Sequence, residues 1–178
     1  GSSDPADAET LRRAAGTAAR ALSRAERVVH ALPEATPGQV GALALGHLLG
    51  GYEFREFVTE GHASATTDVL VLGDEAAEQA LNEAVILAES VAIVRDLGNW
   101  PPSDLTPEDF ADRALDIADS ASVHVEIWDE QRLAEEGCGG ILGVGQGSSN
   151  PPRLVLLDYS PESPDAHVAL AGKGITFD

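Results

Sequence analysis

A lysine and an aspartate stand five residues apart in Gly172-Lys173-Gly174-Ile175-Thr176-Phe177-Asp178. The residues before them, 167–171, read as a strand, which puts the pair on a loop leaving a strand's carboxyl end, where α/β proteins usually place ligands. A carboxylate is a hard oxygen ligand suited to divalent cations. A lysine amine, unlike a guanidinium, can lose its proton and offer a lone pair, a loss that a nearby dication and partial burial favour. Of the eleven basic residues, Lys173 is the single lysine. A surface lysine and a capping aspartate are the plainer reading of the same residues, so spacing alone leaves metal ligation open.

Three other chemistries are weaker. A phosphate loop needs a glycine five residues before the Gly-Lys pair and a Ser or Thr after it. Here those positions hold His167 and Gly174. Gly143, Gly145 and Gly147 begin a dinucleotide fingerprint, but Ser148 or Asn150 stands where the third glycine belongs, and no helix is evident behind it. The stretch 137–147 is therefore expected to be structural and not phosphate-binding. Cys138, the single cysteine, lies among glycines with no histidine beside it in sequence, and reads as a small packed residue. One cysteine also excludes an internal disulfide and fits a reducing, cytoplasmic compartment.

The elements that would position these residues alternate between helix and strand. Ser3-Asp4-Pro5 has the form of a helix start, and Leu11, Ala14, Ala15, Ala18 and Leu22 recur at helical spacing. A strand is predicted over 27–32. Thr36-Pro37-Gly38-Gln39 has the form of a capping box opening a helix to about Gly50-Gly51. A second strand follows over 68–72, and then a long helix over about 74–97, stopped by Pro101-Pro102. At about 1.5 Å per residue it spans more than about 30 Å, which suggests a strut between domains. Thr106-Pro107-Glu108-Asp109 starts another capped helix, ending near Ser120. Alternation over 123–128 predicts a strand, 129–136 a short helix, and 153–159 a further strand. The pattern is that of an α/β protein.

With 178 residues and a net charge of −19, the chain suffices for one ordinary domain or two small ones, and it would repel nucleic acid. No apolar run approaches the roughly 20 residues of a membrane helix, and no signal peptide is expected at the start.

Three stretches together resemble the leucyl aminopeptidase (cytosol aminopeptidase) family. They are Arg95-Asp96-Leu97-Gly98-Asn99-Trp100-Pro101-Pro102-Ser103-Asp104-Leu105-Thr106-Pro107, the run from Gly137 through Ser148 with Pro151-Pro152-Arg153-Leu154, and the segment from Gly172 to Asp178. Their order and spacing match the family, although Trp100 replaces a residue that is usually small.

The resemblance implies a partial macro-like N-terminal domain over 1–73, a linker helix over 74–98, and the first part of an α/β metallopeptidase catalytic domain over 99–178. It implies Lys173 as a ligand to one metal and Asp178 as a bridge between two, the pair being Mn, Zn or Mg. It implies release of an N-terminal residue, often leucine, from peptides with a free N-terminus, by a water held between the metals. The family's remaining carboxylate ligands, its second lysine and the arginine that holds bicarbonate are expected beyond Asp178, so no catalytic residue is assigned here and this chain alone is expected to be inactive. The parent protein is expected to be a homohexamer with no nucleic-acid or membrane partner. The alternative is a macro-like nucleotide-binding or oligomer-assembly module.

Overall fold

The structure, a computed structural model, describes residues 7–58, 68–119 and 123–176. The chain divides into two compact units, Gly1–Asn99 and Trp100–Asp178.

In the first unit, α1 covers Ala8–Ala21. The predicted start at Ser3-Asp4-Pro5 lies outside the described residues. The observed cap is Asp7, whose carboxylate accepts from the Thr10 backbone N–H at 2.9 Å, satisfying a donor that the first turn leaves orphaned. Helix α2, Pro37–Gly50, starts at the predicted capping box: Gln39 Oε1 accepts from the Thr36 N–H at 3.0 Å. The two helices approach backbone to backbone. A Cβ on Gly46 would stand 2.1 Å from the Arg12 carbonyl oxygen, and one on Gly50 would stand 2.5 Å from Gly16 Cα. Only glycine permits that separation.

Strand β1 (Arg27–His30) and β2 (Asp68–Val71) pair in parallel, with Val28 opposite Val69 and His30 opposite Val71. Alternation puts Val28 and His30 on one face, and Val28 is buried. Val29 and Leu70, on the other face, are half exposed. Val40, Leu43 and Ala44 of α2 supply much of the core.

A 3-10 turn, Glu75–Ala77, capped by Asp74, leads into α3, Glu78–Asn99. The helix thus enters through a tighter turn than expected and runs two residues further. It packs its small residues Ala84 and Ala88 inward, and the contact is with α2. Its last turns are tied down. Arg95 Nη1 donates to the Leu49 carbonyl at 2.8 Å and its guanidinium lies over the Tyr52 ring. The Tyr52 hydroxyl donates to Asp96 at 2.7 Å and accepts from Asn99 at 3.1 Å.

The second unit opens with α4, Pro107–Asp119. At the predicted capped start, Asp109 Oδ2 accepts from the Thr106 N–H at 2.9 Å and the Asp109 N–H donates to Thr106 Oγ1 at 3.3 Å, a reciprocal cap with Asp in place of Glu. Trp100, the unusual residue of its stretch, lies under the Arg113 guanidinium, 4.1 Å from the ring centroid. Strand β3, His124–Trp128, pairs antiparallel with β4, Leu154–Asp158, and α4 packs on both.

Between the strands lie α5, Glu130–Glu135, and α6, Gly139–Gly145. The second of these corrects the sequence reading, which found no helix in the glycine-rich stretch. Glycine opposes helix on average, but here the turn is set by the end of α5. Gly137, at φ 72°, ends α5 in the left-handed region, with Cys138 N–H donating to the Leu133 carbonyl and Gly137 N–H to that of Ala134. That pairing is a Schellman motif, and the chain re-enters helix at once with Cys138 as N-cap. Cys138 is half-buried.

One predicted strand is not formed. Residues 167–171 run as irregular chain, with Val168 81% and Leu170 94% exposed. A strand exists through its ladder, and among the described residues β3 and β4 pair only with each other.

Candidate metal centre

The structure places one of the two predicted ligands. Lys173 is exposed on the irregular segment after residue 171, flanked by Gly172 and Gly174. That segment passes close to α4: a Cβ on Gly174 would meet Phe110 Cζ at 3.9 Å. Asp178 lies outside the described residues, so the structure does not bring the pair together. Among the described residues no carboxylate forms an ion pair with Lys173, and no cluster of three or more His, Cys, Asp or Glu side chains is arranged to hold a metal ion.

The donor set still suits part of a metal site. A solvent-facing amine between two glycines has no bulky neighbour in sequence to block a cation. An amine and a carboxylate are N and O donors of the kind that borderline and hard divalent ions accept. Two such groups fall short of the four to six ligands each that two such ions take, so further donors must complete the site.

The first unit holds two features that sequence reasoning passed over. His30 Nε2 and His47 Nδ1 are 2.7 Å apart, joining β1 to α2, with ring centroids 4.9 Å apart and nearly perpendicular. His47 is 5% exposed. Burial lowers the pKa of both rings, and for His47 the nearby His30 lowers it further. The signal was present in the sequence. Alternation puts His30 on the face of Val28, and His47 is the one ionisable residue in the apolar run of α2. The second feature is a cavity of about 390 Å³ at the carboxyl ends of the two parallel strands, between residues 31–35 and 72–74. Glu34 at its lip takes φ 55°, a left-handed backbone rare outside glycine.

Two family models match successive stretches of the chain. The family model for the N-terminal domain of the cytosol aminopeptidase family matches residues 1–61, and that for the family's catalytic domain matches residues 92–178. A probable cytosol aminopeptidase of Leifsonia xyli subsp. xyli is 47% identical over 182 residues, covering 100% of this chain and 37% of its own length. One from Micrococcus luteus is 47% identical over 180 residues, covering 96% and 35%. The chain thus spans little more than a third of these relatives. Among solved structures, the bottromycin maturation enzyme BotP in complex with Mn superposes with a TM-score of 0.80 at 32% identity, over 88% of this chain and 34% of that one. A mutant of tomato leucine aminopeptidase gives 0.81 at 24% identity, over 92% and 35%, a likeness of fold. The architecture is therefore that of the N-terminal domain and the start of the catalytic domain of leucine-aminopeptidase-type structures. Two domain models in order and curated relatives at this identity decide the assignment: the chain belongs to the cytosol aminopeptidase family.

Proposed function

We propose that the protein to which this chain belongs is a metal-dependent aminopeptidase that releases N-terminal residues, leucine among them, from peptides. The observation that carries this reading is the match of residues 92–178 to the family's catalytic domain, a stretch that contains the Gly172-to-Asp178 segment. In this reading, residues 1–73 are a partial macro-like domain, 74–98 a linker helix and 99–178 the beginning of the catalytic domain.

Lys173 and Asp178 are the chain's metal ligands. Lys173 would hold one cation through its amine nitrogen. Asp178 would hold the metal pair through its carboxylate, a hard oxygen donor. Gly172 and Gly174, which flank Lys173, leave its amine without a bulky neighbour in sequence. Two divalent cations held there would supply Lewis acidity toward the scissile carbonyl and would make hydroxide available near neutral pH. Manganese is the first ion to test, since BotP carries Mn in the structure that this chain resembles. Zinc and magnesium fit the same donors. The remaining ligands, the bicarbonate-holding arginine and the second lysine come from outside this chain, which by itself binds metal weakly and does not turn over. The complete enzyme works as a cytoplasmic homohexamer on peptides, with no nucleic-acid or membrane partner; no described helix is long and apolar enough to cross a membrane.

The test is leucyl-p-nitroanilide cleavage with added manganese or zinc. The full-length protein is expected to be active, and Lys173→Arg to abolish activity as fully as Lys173→Ala, because guanidinium keeps the charge but has no lone pair to give. Near-normal activity in Lys173→Arg refutes the ligand role. Robust metal-dependent turnover by the 178-residue chain refutes the division of ligands.

A further inference from the structure

The His30–His47 contact lies far in sequence from the proposed metal ligands and serves no step of the peptidase reading. It is the one hydrogen bond between titratable rings that bridges β1 and α2 among the described residues. In a neutral pair one ring must donate an N–H and the other must accept. Adding one proton leaves the bond intact, because an imidazolium still donates to a neutral partner. Adding the second removes the acceptor and sets two like charges at 2.7 Å in a part-buried site, His47 itself being buried.

Among the described residues the surroundings offer no compensating charge. The inner face of the sheet carries Val28, Val69 and Val71, and α2 has no charged residue besides His47. Arg27 is exposed on the opposite face of β1. On α1, Glu9 and Arg12 pair with each other, and Arg13 and Arg20 are exposed. Glu75 of the 3-10 turn and Glu78, Glu83 and Glu89 of α3 are exposed, while Arg95 and Asp96 are engaged by Leu49 and Tyr52.

We propose that His30 and His47 form a proton-operated latch: neutral or singly protonated, they hold α2 to the carboxyl end of β1, and the second proton releases it. The latch controls the rim of the cavity beyond the strands. His30 is the last residue of β1, its carbonyl accepts from the Leu72 N–H at 3.0 Å, and the cavity wall begins at residue 31 and includes residue 72. On the helix side, the His47 carbonyl accepts from the Gly51 N–H at 2.8 Å at the end of α2. Release therefore frees the strand end at the cavity rim and the last turn of α2.

The geometry makes a further demand that a merely buried histidine would not. The contact joins Nε2 of one ring to Nδ1 of the other, so the neutral rings must share a tautomer, both Nε2–H or both Nδ1–H. Two-dimensional ¹H–¹⁵N NMR of the imidazoles in the 178-residue chain reads this directly, with hydrogen exchange at the Leu72 and Gly51 amides followed as pH falls. The expected result is matched tautomers at neutral pH, two coupled protonation steps below the ordinary histidine value, and loss of amide protection with the second step. His47→Gln and His30→Gln each leave a single titrating ring, and the acid-triggered loss of protection should vanish in both. Opposite tautomers or independent titration of the rings in the wild-type chain overturns the proposal, whether or not the variants fold. So does an unchanged acid response in both variants.

Discussion

Replacing Gly46 with alanine tests the helix pair that carries the first unit. Two opposing effects set the outcome. Alanine stabilises a helix interior by about 1 kcal/mol relative to glycine. Against this, the new Cβ would lie 2.1 Å from the Arg12 carbonyl oxygen and 2.8 Å from its Cα and carbonyl carbon, all backbone atoms that no rotamer change can move. Relief requires α1 and α2 to separate by about the missing ångström, which loosens the packing around Ala15, Ala19 and Ala44. Forced overpacking of this kind costs about 1–3 kcal/mol, and more where backbone must shift. The net effect is expected to be a loss of at least about 1 kcal/mol, despite a gain in local propensity. Gly38→Ala is the control: it lies in the first turn of α2 with nothing within 4 Å of the new Cβ, and should be neutral or stabilising. Because the chain has two units, a global melt would blur the comparison. Hydrogen exchange at the amides of α1 and α2 isolates the effect. A Gly46→Ala chain whose α1 and α2 amides are as protected as in the parent would refute the close approach of these helices.

Leu133 is 0% exposed in the second unit, so Leu133→Ala should destabilise that unit by about 3–5 kcal/mol, read by the fluorescence of Trp100 and Trp128, which both lie in it. Gly145→Ala would set a Cβ 2.8 Å from the Pro152 ring and should lower the stability of the same unit, while calorimetry with ATP or NAD shows no binding to either form; nucleotide binding lost in the variant would make the glycine stretch a ligand loop after all. Acid should weaken the first unit in two windows. The lowered pKa values of His30 and His47 mean that the unfolded chain binds more protons below its ordinary value of 6.5, so their contribution is complete above that pH and is lost as pH falls through the folded values. Asp7, held low by its hydrogen bonds from Thr10, gives a second loss of the same sign below 3.8. Urea midpoints for the first unit that stay level from neutral pH to pH 5 would contradict the first window.

Local chemistry was legible wherever a few neighbouring residues decide the outcome. The caps at Thr36 and Thr106 and the stop at Pro101-Pro102 follow from rules that act within about four residues, and the segments of β1 and β2 were marked by their residue types. The family assignment was legible for a related reason: it rests on short ordered stretches whose residue types are readable without coordinates. The proposed ligands Lys173 and Asp178 were named the same way, and the structure adds only that Lys173 is exposed and that its loop passes Phe110. Tertiary structure decided the rest. Residues 167–171 have the alternation of a strand, but a strand needs a neighbour's N–H and C=O groups, and periodicity in one segment carries no information about whether a partner lies beside it. The helix in the glycine stretch depends on the turn that ends α5, and the glycines of α1 and α2 gain their meaning from the helix they face. His30 and His47 are 17 residues apart in the chain and 2.7 Å apart in space, and that distance exists only because a parallel strand and a helix fold back onto the same core.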